Sequence, residues 1–136
     1  MAQNRKAEYK KRNIKFLADV RGEEGVLELG GGVLYKIIES GTDTAKQVLP
    51  TSVVTCYYKG RLIDGRVFDD TFANSYPEAL RVSELIDGFK AALLKMHIGD
   101  HWMVYIPAEA GYGSRGETDI PGNSTLIFEI KLAGIA

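Results

Sequence analysis

Apolar positions along this chain change their period three times. From Gln3 to about Asp19 there is no Gly or Pro, Lys and Arg are frequent, and Tyr9, Phe16, Leu17 and Val20 fall near one side of a helical wheel. That spacing predicts a solvated helix with a weak apolar stripe. Arg21-Gly22-Glu23-Glu24-Gly25 ends it, and the triple glycine Gly30-Gly31-Gly32 separates a short Val26-Leu27-Glu28-Leu29 from a strand candidate, Leu34 to Ile38. Beyond Gly25 the pattern is mainly β. Ser52 to Tyr58 alternates, with Val54, Cys56 and Tyr58 on one face, and turn signals at Gly60 and Asp64-Gly65 lead into a hairpin partner, Val67-Phe68-Asp69. One helix interrupts the strands: Phe89, Leu93 and Met96 recur at i, i+4, i+7, with Asp87 placed to cap the start and Gly99 to close the end. His101 to Ile106 and Thr125 to Leu132 read as two further strands, the second with Leu126, Phe128, Ile130 and Leu132 on one face, and a Gly-rich loop joins them. The class is α+β, an antiparallel sheet packed on one short helix with an N-terminal helical arm. The arm is expected over 1–24 and the globular domain over 25–136.

Composition narrows what this domain does. With 136 residues, the chain can bury one core and is too short for two ordinary domains. Its longest apolar run, Trp102 to Ile106, is far below the ~20 residues of a membrane span, and the N-terminus lacks a signal peptide's apolar region. No membrane association is expected, and the cytoplasm is the expected compartment. A net charge of -1 argues against nucleic acid as a partner. The charge is uneven: seven Lys/Arg and four Asp/Glu up to Glu24 give +3, leaving ten and fourteen, or -4, for the remainder.

Several motifs invite a chemical reading that their context refuses. Gly111-Tyr112-Gly113-Ser114-Arg115-Gly116 matches G-x-G-x-x-G, but a dinucleotide fingerprint needs a helix opening at the third glycine. Here Pro121 and Gly122 follow, so a mobile surface loop is expected and no nucleotide cofactor. His97 and His101 have the spacing of paired metal ligands on a helix, yet Gly99-Asp100 breaks any helix between them, and no metal site is expected. Cys56, the only cysteine, sits mid-strand as a small apolar residue. Asn123-Ser124-Thr125 fits the glycosylation pattern and reads as a chance match in a turn. What stands out is the aromatic supply of the globular part, among it Tyr58, Phe68, Phe89, Tyr112 and Phe128. By pattern alone these fill a core or edge an apolar pocket, with Asp69 beside it.

Four stretches, in this order, favour the pocket: Val54-Thr55-Cys56-Tyr57-Tyr58-Lys59-Gly60 with Leu62-Ile63-Asp64-Gly65-Arg66-Val67-Phe68-Asp69; Leu85-Ile86-Asp87-Gly88-Phe89; Gly111-Tyr112-Gly113; and Ile120-Pro121-Gly122-Asn123-Ser124-Thr125-Leu126-Ile127-Phe128-Glu129. Together they closely resemble the FKBP-type peptidyl-prolyl cis-trans isomerases, from about Val33 to the C-terminus. The upstream arm is similar to the bacterial macrophage-infectivity-potentiator-like branch. The resemblance implies a twisted antiparallel sheet half-wrapped around the short helix, with a proline pocket between them. Tyr58, Asp69, Ile86 and Tyr112 fall on its catalytic positions, and Phe68, Leu85, Phe89, Ile120 and Phe128 on its substrate-binding ones. Phe89 stands where the family usually has tryptophan, and Glu78 and Leu80 stand where an aromatic is usual.

The implied activity is rotation of X-Pro bonds in proline-containing peptides and unfolded protein clients, without metal or cofactor. Ile86 would offer its backbone N–H and Tyr112 its hydroxyl to substrate carbonyls, while Asp69 orients the polar edge. The alternative is a chaperone or binding module that grips such segments without useful turnover. The resemblance also allows macrolide inhibitors, and a periplasmic location where a signal peptide has been removed; the arm itself offers a homodimer contact, with packing on its own domain as the alternative.

Overall fold

The computed structural model describes residues 2–136; Met1, the first residue of the expected arm, lies outside the described residues. Among these residues the chain runs α1 (Ala2–Arg21), β1 (Val26–Gly30), β2 (Val33–Glu39), β3 (Val53–Arg61), β4 (Val67–Asp70), β5 (Glu78–Arg81), α2 (Asp87–Leu93), β6 (His101–Ile106) and β7 (Leu126–Ile135). The strands pair antiparallel in the order β1-β2-β6-β7-β3-β4. Strand β5 pairs with Val53 to Cys56 of β3, at the end away from β4. The architecture is the α+β sheet-and-helix arrangement that the pattern implies.

The sheet is buried on both faces, by a different helix on each. Leu126, Phe128, Ile130 and Leu132 of β7 enter the larger core with Val104 and Ile106 of β6 and with Phe89, Ala92 and Leu93 of α2. Ile127, pointing the other way, is 0% exposed as well. Its cross-strand partner is Tyr105, whose own partner on β2 is Leu34. Phe16, Leu17 and Val20 of α1 cover that row. The weak stripe of the arm therefore has a use: each large side chain it helps to remove from water contributes about 1.5–3 kcal/mol.

Two local expectations are corrected, the cap and the end of α2. Ile86, not Asp87, is the cap residue of α2, and no side chain caps it; Asp87 is the first helical residue, 3.6 Å from Lys90 Nζ, where its charge still favours the helix dipole. The glycines after Leu29 separate two strands, as expected. They turn β1 into β2, with Gly31 and Gly32 at φ +62° and +80°, the left-handed pair that a two-residue hairpin needs. Helix α2 ends at Leu93, so Met96 is buried from the turn that follows, its N–H on the Leu93 carbonyl at 3.1 Å. Strand β5 carries Glu-Ala-Leu-Arg, a helix-favouring tetrapeptide that pairing with β3 overrides. Cys56, mid-β3, lies fully buried, and burial pushes its thiol up to about 12.

Candidate active site

Between the start of α2 and the β3, β4 and β7 part of the sheet opens a cleft of about 250 Å³. Strand β3 supplies Tyr58, β4 supplies Phe68 and Asp69, and β7 supplies Phe128. Leu85 and Ile86 lead into α2, which adds Phe89, and Tyr112 closes the cleft from the loop before β7. Eight of the nine residues expected at the site thus line one cleft. Ile120 does not. A turn in which Glu117 and Ile120 exchange backbone hydrogen bonds of 2.9 Å each folds its side chain into the main core, 6% exposed.

Phe128 is the centre of the aromatic wall. Its ring meets Phe68 edge-on at 5.5 Å and 89° and Phe89 at 5.1 Å and 72°, and Tyr58 meets Phe89 at 5.6 Å and 90°. These are the tilted arrangements that aromatic quadrupoles favour. Gly60 makes them possible. It pairs with both Asp69 and Phe128 across the sheet, and a Cβ there would lie 2.6 Å from Phe68 Cζ and 2.7 Å from Phe128 Cε1. The Tyr58 backbone is pinned by Thr71, whose N–H donates to the Tyr58 carbonyl and whose Oγ1 accepts the Tyr58 N–H, both at 2.8 Å. Thr71 carried no periodic signal in the sequence. Nor did Leu80 and Glu84, the two remaining lining residues, although Leu80 falls in the stretch where the family usually places an aromatic.

The polar edge is one-sided. Asp69 and Glu84 line the cleft, and no lysine or arginine does. Burial, then the negative charges of Asp69 and Glu78, push the Tyr58 hydroxyl up to about 12. Burial and then Glu117 and Asp69 raise Tyr112. Both hydroxyls, protonated at neutral pH as any tyrosine is, thus remain donors to higher pH than usual. Ile86 accepts the Lys90 N–H on its carbonyl at 3.1 Å, while its own N–H has no acceptor among the described residues. A donor left free at the lip of a cleft is available to a ligand carbonyl.

Of the remaining motifs, the G-x-G-x-x-G loop reaches the cleft only through Tyr112, and the others lie outside it. The loop with the G-x-G-x-x-G pattern, expected to be mobile, is tied to itself by the Gly116 N–H on the Tyr112 carbonyl and the Asn123 N–H on the Gly113 carbonyl. Gly116 sits at φ +74°, with its missing Cβ facing the backbone of Ile120 to Gly122. Those glycines shape a turn, and no helix follows them. His97 Nδ1 lies 3.9 Å from Asp100, and His101 Nε2 lies 2.7 Å from Glu129, so each imidazole has its own carboxylate. A second cleft, of about 310 Å³, runs between α1 and Pro107 to Glu109, but no aromatic ring lines it.

A half-wrapped sheet with a short helix across it, and between them an aromatic cleft edged with hydroxyl donors and a free N–H, defines a concave apolar site with hydrogen-bond donors at its rim. The chain belongs to the FKBP-type peptidyl-prolyl cis-trans isomerase family, whose model matches residues 44–133. It is 40% identical over 134 residues to the outer membrane protein MIP of Legionella longbeachae, covering 97% of this chain and 57% of the relative. It is 37% identical over 125 residues to the FKBP-type 22 kDa peptidyl-prolyl cis-trans isomerase of Escherichia coli strain K12, covering 90% and 59%. Relatives carrying the Mip name bear out the resemblance to that branch. Among solved structures, the peptidyl-prolyl cis-trans isomerase of Pseudomonas syringae pv. tomato superposes with a TM-score of 0.87 at 31% identity, covering 96% of this chain and 95% of its own. FkpA from Escherichia coli superposes with a TM-score of 0.89 at 28% identity, covering 98% and 62%. The chain spans little more than half the length of the curated relatives named here.

Proposed function

We propose that this chain is a peptidyl-prolyl cis-trans isomerase that turns X-Pro bonds in the aromatic cleft, with residues 25–136 as the isomerase domain and 1–24 as its arm. The observation that carries this reading is the convergence of Tyr58, Phe68, Phe89, Tyr112 and Phe128 with Asp69 around one cleft in a chain of this family. Rotation about a peptide bond faces a barrier of roughly 18–20 kcal/mol because the planar amide loses its resonance. No nucleophile is needed to lower it. The twisted amide is less polar than the planar one, so a cleft that replaces water with aromatic faces favours the transition state over the ground state. Phe128, Phe89 and Tyr58 hold the proline ring; Leu85 and Phe68 flank it. The free Ile86 N–H and the Tyr112 hydroxyl hold the carbonyls on either side of the rotating bond. Asp69 fixes the polar edge beside the Tyr58 hydroxyl.

The test is NMR exchange of a short apolar-X-Pro peptide with catalytic amounts of the full chain. Catalysed exchange is expected, lowered about tenfold by Asp69→Ala, which is roughly 1.4 kcal/mol of transition-state stabilisation. Tyr112→Phe removes one neutral hydrogen bond and is expected to lower the rate by about two- to tenfold. Exchange at the uncatalysed rate despite measurable peptide binding would sink the proposal in favour of the non-catalytic binding module.

The acidic edge sets a preference among clients. With Asp69 and Glu84 in the lining and no cation to offset them, a peptide with lysine beside its X-Pro bond is turned over faster than the same peptide with glutamate. The gap is expected to close as salt rises past about 0.1 M, where the screening length falls to roughly 10 Å, and to shrink in Glu84→Gln. Equal rates for the two peptides at low salt would refute it.

Unfolded chains that expose apolar X-Pro segments are the clients this cleft fits, and a macrolide seated in it would compete with them. For the homodimer, Ile14 is the one large apolar side chain that α1 leaves exposed among the described residues, at 58%. Sedimentation of the full chain measures whether it joins two copies. The cytoplasm is the first reading for the compartment and the periplasm its alternative; fractionation of cells producing the natural protein decides between them.

A further inference from the structure

We infer that α1 sets the position of the loop carrying Tyr112, with Asn13 as the positioning residue; this rests on the isomerase reading of the cleft. Asn13 lies mid-helix inside an apolar stripe, where an amide lowers helix propensity, and yet it is 2% exposed. Both ends of its side chain are used. Nδ2 donates to the Tyr9 carbonyl at 2.8 Å, and Oδ1 accepts the Thr125 N–H at 2.7 Å. Thr125 Oγ1 returns a longer bond to the Asn13 carbonyl at 3.4 Å. One turn earlier, the Tyr9 hydroxyl and Ser124 Oγ are 2.6 Å apart, and Ser124 Oγ donates onward to the Pro121 carbonyl at 2.6 Å. With the serine proton committed to Pro121, Tyr9 is the donor to Ser124.

The next residue back carries the connection to the cleft. The Asn123 N–H donates to the Gly113 carbonyl at 2.9 Å, directly after Tyr112. Asn123 holds this bond at φ +67°, a left-handed backbone uncommon outside glycine. Asn123, Ser124 and Thr125 therefore face two ways, to α1 through Ser124 and Thr125 and to the Tyr112 segment through Asn123. The triplet that matches a glycosylation pattern finds its use here, with Ser124 and Thr125 buried under the arm. From elsewhere in the described residues, the other side-chain bond to the loop is an exposed one from Arg66 to the Asp119 carbonyl at 3.3 Å. An alanine at position 13 would preserve the helix and leave the buried Thr125 N–H without a partner.

The test uses the full chain with Asn13→Ala, with Tyr9→Phe as a nearly isosteric second variant and Val20→Ala as the control. Val20 packs on Leu34, Tyr105 and Ile127, away from the loop. The readouts are the catalysed exchange of an X-Pro peptide, the backbone amide signals and hydrogen exchange of Tyr112, Gly113 and Asn123, and the melting temperature. Asn13→Ala is expected to slow catalysis on the order of tenfold, the effect of a substrate-holding group displaced by a fraction of an ångström. Tyr9→Phe is expected to slow it by about threefold, the effect of one lost hydrogen bond. Both should shift the Tyr112 and Gly113 signals and weaken their protection, whereas Val20→Ala lowers the melting temperature with those signals unmoved and the rate within about twofold. Wild-type rates and unmoved signals in both loop variants would overturn the inference. If Asn13→Ala does not fold, Tyr9→Phe decides by the same two readouts. If the wild type itself does not catalyse, the isomerase reading fails separately, and the amide signals alone decide whether the arm holds the loop.

Discussion

Truncation of Phe128 to alanine is expected to remove about 3–5 kcal/mol of stability, as large core truncations of aromatics do, and with it most of the catalysis. The ring is 4% exposed and contacts Tyr58, Phe68 and Phe89 in a single cluster. Three aromatic neighbours lose a common partner at once, and they cannot all collapse into the gap because β3, β4 and α2 hold their backbones apart. A hundredfold loss of catalysed exchange is a reasonable order of magnitude for a wall that no longer aligns the ring it grips. Urea unfolding and peptide exchange on the same sample measure both effects. Phe128→Leu separates them: most of the stability returns with the volume, while the rate recovers less because the edge-to-face geometry does not. An unimpaired rate in Phe128→Ala would show that the cleft wall is packing alone.

The opposite change, one added methyl at Gly60, is expected to reach the same two rings from behind. A Cβ at 2.6–2.7 Å from Phe68 and Phe128 is inside any real contact distance, and β3 cannot retreat because β4 and β7 pair with it on either side at this residue. Overpacking of this kind costs about 1–3 kcal/mol. Gly60→Ala should therefore unfold at lower denaturant than the wild type, shift the aromatic signals of Phe68 and Phe128, and lower catalysed exchange by on the order of tenfold or more. Unshifted ring signals would mean that the strand accommodates the methyl by another route.

Much of this fold is legible in the chain because its elements obey one period at a time. The alternation through Val54, Cys56 and Tyr58 and through Leu126, Phe128, Ile130 and Leu132 corresponds to strands with one face in the main core, and Phe89 and Leu93 do mark the buried side of α2. The cleft is a different matter. Phe89 and Phe128 have the pattern of core residues because they are core residues, Tyr58 and Phe68 pack half-buried against them, and only the order and spacing of four stretches singled out the concave side they share. What pattern reading missed depends on contacts distant in sequence. Strand β5 exists because β3 offers it an edge, Thr71 matters because Tyr58 folds back onto it, and Ile120 turns inward because Glu117 closes a turn beneath it. Asn13 is the sharpest instance. As a polar residue on a basic helix it reads as solvated, and its burial follows from a strand end 112 residues away that needs an acceptor.

The burial of Cys56 bears on where such a protein can function. A thiol pushed up to about 12 and sealed inside β3 offers almost no thiolate at neutral pH, and thiolate is the nucleophile that attacks peroxides and disulfides. With no second cysteine in the chain, the folded molecule has no sulfur bridge to form or lose. The cysteine stays a thiol in glutathione-rich surroundings and in an oxidising envelope alike, so thiol–disulfide poise gives the cell no handle on this chain once it has folded.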